Sequence, residues 1–200
     1  MTRLGIVLSG RGSNFLAIAD RIEQGSLPAE IAVVIANRPD APGLAAARER
    51  GLTALSLPSK GLGREEYDRR LEAALREHAV DWVILAGYLR ILSAGFIRAF
   101  PQRILNIHPS LLPAFPGLDA QHQAFAYGVK VAGCTVHFVD EELDHGPIVL
   151  QAAVPVEDAD TAETLAARIL TEEHRIYSEA LRLLFTRPWR IVDRRVVLGQ

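Results

Sequence analysis

The stretch "LGIVLSGRGSNF", Leu4 to Phe15, contains a short apolar run, a glycine-rich turn and the start of a helical pattern. The run "LGIVLS" is short and apolar enough for a strand that is buried on both faces. From Asn14 to Gln24 the apolar residues recur at helical spacing. Because a buried strand followed closely by a helix is the unit of an α/β sheet, the stretch predicts the first such unit.

The same alternation continues as far as residue 108. The strand-like runs are "IAVVIA" (31–36), "TALSL" (53–57), "WVILAG" (82–87) and "ILNIH" (104–108), and the helical patterns cover 42–50, 64–78 and 93–100. This pattern predicts an α/β fold with a doubly wound, mostly parallel twisted sheet, whose N-terminal half is Rossmann-like.

The remaining pattern predicts an antiparallel addition in the C-terminal half. It consists of a short helix (120–127), the strand-like runs "CTVHFV" (134–139) and "IVLQAAVPV" (148–156), a long helix from Asp160 or Thr161, and a hairpin in "RPWRIVDRRVVLG" (187–199). We expect the two runs to pair as an extended hairpin. Asp160 and Glu163 are spaced like a capping box. No repeat or linker interrupts the chain, which predicts a single domain over 1–200.

Composition excludes several classes of function. The 200 residues are 49% hydrophobic and 23% charged, which suits one well-formed core. The net charge of −2 offers no basic field for a nucleic-acid backbone or an anionic membrane. Neither a signal peptide nor eighteen uninterrupted apolar residues is present, so we expect a cytoplasmic protein. The single cysteine, Cys134, lies in an apolar run and is predicted to be a buried, unreactive thiol.

Polar segments follow several of the predicted strands. They are "SGRGSN" (9–14), "GYLRILS" (87–93), "NIHPSLLP" (106–113) and "DEELDHGP" (140–147). Ligands of open α/β sheets bind beyond the carboxyl ends of the strands, so we expect all four segments on one rim.

The segment "SGRGSN" suits a phosphate. Gly10 and Gly12 allow backbone N–H groups to converge, Ser13 or Asn14 can cap the helix, and the helix N-terminus adds positive potential. The segment is neither a dinucleotide fingerprint nor a P-loop. A merely tight turn between strand and helix is the alternative.

Asn106 and His108 point to one face of their strand because side chains alternate, and Pro109 keeps His108 extended. An amide beside an imidazole suits the stabilisation of an oxyanion and the movement of a proton near neutral pH. The alternative is two polar groups that cap a surface loop. Asp144, before Gly146 and Pro147, is either a turn-former or a partner for His108 or an incoming amine.

The other histidines give no clear signal of function. We expect His78 and His137 to be structural, and His122 and His145 lack the spacing of metal ligands. With no Cys/His cluster and no HExxH motif, no metal site is predicted. A Gly-x-Ser-x-Gly nucleophile motif is also missing from the sequence.

The sequence resembles the glycinamide ribonucleotide formyltransferases, folate-dependent enzymes of purine biosynthesis. The resemblance covers nearly the whole chain and is carried by "SGRGSN", "LAGYLRILS", "ILNIHPSLLPAFPGL", "GCTVHFVDEELDHGPI" and "EEHRIY". Most specific is Asn-x-His-Pro-Ser-Leu-Leu-Pro followed by Asp-x-Gly-Pro. It implies transfer of the formyl group of 10-formyltetrahydrofolate to the amine of glycinamide ribonucleotide, without a metal.

The resemblance also implies roles for individual residues. Asn106, His108 and Asp144 would be catalytic, with the first two stabilising a tetrahedral oxyanion and the third supporting proton transfer. Gly12, Ser13 and Asn14 would hold the ribonucleotide phosphate and Glu173 its ribose. The folate would contact Leu89, Arg90, Ile91, Leu92, Val139, Asp140 and Asp144. The N-terminal half would thus bind the phosphate, and the C-terminal half would contribute to the folate site.

Two positions depart from the family, since relatives often have histidine at the position of Asp119 and arginine at that of His122. Substrate contacts and the pH optimum depend on these two side chains.

Formyltetrahydrofolate hydrolase is one alternative function, although we expect an extra N-terminal domain in that enzyme. Methionyl-tRNA formyltransferase is another, with an expected C-terminal tRNA-binding domain, and a non-catalytic nucleotide-binding module is the third. Either a monomer or a homodimer fits the sequence.

Overall fold

Strands and helices alternate through the first 106 residues of the computed structural model, which describes residues 1–199. The elements are β1 (Thr2–Leu8), α1 (Ser13–Glu23), β2 (Ala29–Ala36), α2 (Pro42–Glu49), β3 (Ala54–Ser56), α3 (Arg64–Glu77), β4 (Trp82–Leu85), α4 (Ala94–Ala99) and β5 (Ile104–His108). These residues form a compact first unit that ends at Asn106, and a second unit begins at Ile107 within β5. The interpretation of 1–200 as a single domain stays a prediction.

The strands of the first unit form a parallel array in the order β3-β2-β1-β4-β5. Both faces of β1 are covered, since Leu4, Ile6 and Val7 are all fully buried. Continuous apolar strands of this kind are stable only where helices cover both faces of a parallel sheet. The predicted α/β fold with mostly parallel strands is therefore confirmed.

The second unit contains the antiparallel strands. Its elements are α5 (Ala120–Tyr127), β6 (Val131–Phe138), β7 (Ile148–Pro155), α6 (Ala162–Thr186), β8 (Trp189–Val192) and β9 (Arg195–Leu198). The predicted pairings are confirmed, because β6 pairs with β7 and β8 with β9, both antiparallel. In addition β7 pairs with β9 in parallel, through Ile148 and Arg195.

The long helix α6 packs against β6 and β7. Leu165, Ile169 and Ile176 are buried along one stripe, as their helical spacing predicts. Burial of such a side chain contributes about 1.5–3 kcal/mol. Glu173 lies in the same stripe and is only 6% exposed. Burial of a carboxylate at an apolar position of a helix costs free energy, so packing alone does not explain why Glu173 is there.

The N-terminus of α6 corrects the predicted capping box. Thr161, not Asp160, is the N-cap, and it exchanges hydrogen bonds with Thr164 rather than Glu163. The Asp160 side chain instead pairs with Arg168, which donates hydrogen bonds to both carboxylate oxygens at 2.7 and 2.9 Å. Because that ion pair holds the carboxylate, the next hydroxyl along the chain caps the helix.

Candidate active site

His108 ends β5 with its imidazole buried in the second unit. Its Nε2 lies 2.8 Å from the carbonyl oxygen of Phe115, and its Nδ1 lies 3.4 Å from Oδ2 of Asp144. Both ring nitrogens therefore face oxygen acceptors. A ring that donates from both nitrogens is the doubly protonated imidazolium, whereas the neutral ring can donate to only one of these two oxygens.

Asp144 lies in the connection between β6 and β7 and adopts a left-handed conformation, with φ of 49°. Asp tolerates this region better than most residues. Its Oδ2 also accepts a hydrogen bond of 2.8 Å from the Gly117 N–H, and its Oδ1 lies 3.9 Å from Nε2 of His137. The carboxylate is thus held between two histidines and a backbone donor.

The proline-rich loop after β5 is supported by one buried hydroxyl. Thr135 Oγ1 on β6 donates to the Ser110 carbonyl at 2.7 Å and accepts from the Leu112 N–H at 3.1 Å. Gln151 Nε2 on β7 donates to the same hydroxyl and to the Leu112 carbonyl. These bonds fix the loop that places the Phe115 carbonyl against His108.

A cavity of about 450 Å³ opens beside Asp144 in the second unit. Leu112, Pro113 and Leu143 contribute apolar walls, and Arg194 from the β8–β9 turn contributes a cation. Sites for small organic molecules have this character, mostly apolar with a few placed polar groups. Leu143 also keeps half of its surface exposed.

The glycine-rich segment corrects the predicted cap of α1. Gly12, rather than Ser13 or Asn14, is the N-cap, and it is left-handed with φ of 72°. A Cβ at Gly12 would meet Leu8 Cδ2 at 2.9 Å, so both the conformation and the space favour glycine. Ser13 begins the helix and Asn14 is buried. Phosphate binding by these three residues stays a prediction.

The segment after β4 lies against this glycine-rich turn within the first unit. The Ser9 N–H donates to the Gly87 carbonyl at 3.1 Å, and Ser9 Oγ accepts from the Leu89 N–H at 3.0 Å. Leu89 and Ile91 are 66% and 48% exposed. Two neighbouring exposed apolar side chains are consistent with a binding surface.

Arg90 and Leu92 of the same segment are held by their surroundings. The Arg90 guanidinium lies 4.9 Å from the ring centroid of Tyr67, and Leu92 is buried. The buried carboxylate of Asp68 accepts the Ser93 N–H at 2.6 Å, which fixes the end of the segment. Contact of Leu89 to Leu92 with folate stays a prediction.

Cys134 is fully buried in β6, as predicted. Burial, with the negative charge of Glu173 nearby, raises the pKa of its thiol to about 12. A thiol with so high a pKa holds little of the reactive thiolate at neutral pH.

Asp119 and His122, the two positions at which we expect a departure from the resembled family, lie at the start of α5. Asp119 is the N-cap of α5, in a left-handed conformation, and the exposed His122 has Nε2 4.0 Å from Oε1 of Glu163.

Within residues 1–199, no group of three or more His, Cys, Asp or Glu side chains is arranged to hold a metal ion. Between residues 1 and 199 we find no helix that is both long and apolar enough to cross a membrane.

Comparison with known proteins identifies the family. The profile of the family described as formyl transferase matches residues 2–181. The chain belongs to the formyl transferase family. The resemblance inferred from the sequence motifs is therefore confirmed.

Relatives of this formyl transferase include the phosphoribosylglycinamide formyltransferase of Escherichia coli, which is 43% identical over 86% of the chain and 82% of that protein. The human trifunctional purine biosynthetic protein adenosine-3 is 43% identical over 91% of the chain. The chain spans only 18% of the length of that larger protein.

Solved structures of similar proteins share the fold. The match to glycinamide ribonucleotide transformylase 1 from Symbiobacterium toebii covers all of this chain and 95% of the transformylase chain. The TM-score is 0.96 and the sequence identity is 52%. The match to a formyltetrahydrofolate deformylase from Pseudomonas syringae covers all of this chain and 67% of the deformylase chain. The TM-score is 0.90 and the sequence identity is 28%.

Three residues of the second unit gave no functional signal in the sequence of this formyl transferase. His137, interpreted as structural, has its ring within 3.9 Å of Asp144. Thr135 supports the loop that contacts His108, and Arg194 lines the cavity. Thr135 and His137 stand two residues apart on one strand, as Asn106 and His108 do, and that spacing is the signal that could have found them.

Proposed function

We propose that the chain transfers the formyl group of 10-formyltetrahydrofolate to the primary amine of glycinamide ribonucleotide, yielding formylglycinamide ribonucleotide and tetrahydrofolate. Membership of the formyl transferase family supports the group that is transferred. The names of the E. coli and S. toebii relatives support the ribonucleotide acceptor. The proposed location is the cytoplasm, and the proposed assembly is a monomer or a homodimer.

One observation carries the proposal, namely the contact between Nδ1 of His108 and Oδ2 of Asp144 at 3.4 Å. The carboxylate favours a proton on Nδ1 while the Phe115 carbonyl accepts from Nε2. Because both N–H groups of a doubly protonated ring would point to these acceptors, the ring would stabilise an oxyanion through its positive charge, without a further hydrogen bond. Asn106, two residues earlier on β5, adds an amide donor on the same face of the strand.

In the proposed reaction the formyl carbon forms one bond to nitrogen and loses another. The neutral amine attacks the formyl carbon and forms a C–N bond, and the carbonyl oxygen becomes the oxyanion that His108 and Asn106 stabilise. Collapse of this intermediate breaks the bond from carbon to the folate nitrogen. The amine loses a proton and the folate nitrogen gains one, and Asp144 supports this transfer. Removal of one oxyanion donor typically lowers the rate by about 10²–10³.

The remaining residues bind the substrates in this proposal. Gly12, Ser13 and Asn14 take the phosphate of the ribonucleotide, supported by the helix N-terminus that follows Gly12. Glu173 takes the ribose hydroxyls, supported by its burial. Leu89 to Leu92, with Val139, Asp140 and Asp144, take the folate, supported by the exposed apolar side chains of the first group.

Hydrolysis of 10-formyltetrahydrofolate is the second candidate, because the structure also matches a formyltetrahydrofolate deformylase. The two reactions differ in the nucleophile, an amine or water. We would follow consumption of 10-formyltetrahydrofolate by the purified chain with and without glycinamide ribonucleotide. The variant His108→Ala serves as the matched negative control.

Formyl transfer predicts consumption that depends on the ribonucleotide and yields one formylated amine per folate released. Equal consumption without the ribonucleotide would favour the hydrolase instead. If neither condition gave turnover while the ribonucleotide still bound, the chain would be a binding module, and the proposal would be wrong.

A further inference from the structure

The turn between β8 and β9 lies next to the loop that carries Asp144. The pairing of Ile148 with Arg195 places the start of β9 beside the start of β7, directly after that loop. The rings of Trp189 on β8 and Phe138 on β6 pack with centroids 5.3 Å apart. The C-terminal hairpin is therefore fastened to both strands that flank the loop.

Arg194, in the turn of this hairpin, contacts the residue that follows Asp144. Its Nη2 donates a hydrogen bond to the carbonyl oxygen of His145. Its Nη1 lies 2.9 Å from Nε2 and 3.2 Å from Nδ1 of the His145 ring. One guanidinium thus holds both the backbone and the side chain of His145, which the five donors of arginine allow.

His145 is in turn tied to the beginning of the loop. Its Nδ1 lies 2.9 Å from Oδ2 of Asp140, and Oδ1 of Asp140 accepts the Glu142 N–H at 3.1 Å. Because Nη1 of Arg194 lies almost equally far from both nitrogens of the His145 ring, the guanidinium lies over the face of that ring rather than on the lone pair of one nitrogen. The loop is closed on itself by Asp140 and fastened from outside by Arg194.

We propose that Arg194 is a positioning residue for Asp144. By holding His145, it fixes the backbone on the C-terminal side of the left-handed Asp144 and so sets the direction of the carboxylate toward His108. This inference rests on the proposed function, because it assigns a residue to the same site. The C-terminal hairpin then belongs to the catalytic apparatus, because Arg194 acts on Asp144 through the loop.

Electrostatics also favour an arginine here. The loop carries four carboxylates, Asp140, Glu141, Glu142 and Asp144, between β6 and β7. Like charges crowded in one short loop repel each other and favour its opening. Arg194 supplies a permanent positive charge where it contacts His145 of this loop.

The test compares Arg194→Gln with the matched control Arg190→Gln, an exposed arginine of the same hairpin. We expect Arg194→Gln to speed hydrogen exchange of the amides from 141 to 146 while exchange in β1 stays unchanged. We expect kcat to fall by roughly tenfold or more, with KM for the ribonucleotide unchanged. Arg194→Lys should recover only part of the rate, and Arg190→Gln should match the wild type.

A second arm asks whether Arg194 acts through Asp144. In an Asp144→Asn background, Arg194→Gln should cause no further loss of kcat, because the carboxylate that it positions is already gone. A full additional loss in that background, or unchanged loop exchange in Arg194→Gln, would overturn the inference. If the wild type failed to formylate the ribonucleotide, the proposed function would fail, while the exchange measurement would still decide whether Arg194 orders the loop.

Discussion

Nδ1 of His108 lies 3.4 Å from Oδ2 of Asp144, and the same carboxylate oxygen accepts the Gly117 N–H at 2.8 Å. The contact joins the end of β5 to the loop after β6, two segments separated by more than thirty residues in the sequence. The surrounding backbone holds the His108 imidazole and the Asp144 carboxylate in this relative orientation. Changes to the supporting groups should therefore affect the chemistry as changes to His108 do.

Replacement of the catalytic imidazole should abolish most of the activity and keep the fold. We expect His108→Ala to lower kcat for formyl transfer by about 10²–10⁴, the usual contribution of a positioned acid–base group. Circular dichroism and the thermal midpoint should stay close to those of the wild type. His78→Ala, at the C-cap of α3, is the control. Near-wild-type activity in His108→Ala would contradict the proposed mechanism.

Loss of the buried hydroxyl under the proline-rich loop should affect both stability and rate. Thr135→Val leaves the Leu112 N–H and the Ser110 carbonyl without this partner, so we expect a loss of about 2–4 kcal/mol in the free energy of unfolding. Because the loop also places the Phe115 carbonyl, kcat should fall too. Thr135→Ser keeps the hydroxyl and should restore most of both. Equal behaviour of the two variants in urea denaturation and in the formyl-transfer assay would refute this role.

The parallel strands of the first unit could be predicted because each is a short, mostly apolar run between longer segments with helical spacing. The spacing of Asn106 and His108 likewise predicted a shared face. The capping of α1 and α6 was predicted wrongly, since it depends on the left-handed Gly12 and on the ion pair between Asp160 and Arg168. Contacts such as Arg194 with His145 depend on which strands pair, and no local pattern encodes that.

The glycine before Pro147 should accept no side chain. A Cβ at Gly146 would lie 1.9 Å from the Phe138 carbonyl oxygen, which is a backbone atom within a strand. Gly146→Ala must therefore shift the loop next to Asp144, with an expected cost of about 1–3 kcal/mol and a lower kcat. Gly63→Ala, where a Cβ meets nothing within 4 Å, is the matched control. Urea denaturation and initial rates check both, and a tolerated Gly146→Ala would show that the loop rearranges freely.

The ion pair at the start of α6 should make stability depend on pH in acid. Arg168 beside Asp160 holds the pKa of this carboxyl below its usual value. A lowered pKa in the folded state stabilises the protein above the unfolded value of about 4, and the effect is lost as the pH falls through the folded value. Asp160→Asn should thus be less stable than the wild type at pH 7, with a difference that shrinks below pH 4. Urea midpoints across this range measure it, and a difference that persisted in strong acid would contradict the ion-pair explanation.

His137 should contribute a second, milder dependence of stability on pH. Burial lowers the pKa of its imidazole, so the folded protein keeps the ring neutral. As the pH falls below about 6.5, the unfolded chain takes up the proton first, and the free energy of unfolding declines until the folded pKa is reached. His137→Gln removes this proton uptake and should flatten the decline below about pH 6.5. A wild-type slope in His137→Gln would mean that another group controls stability in this range.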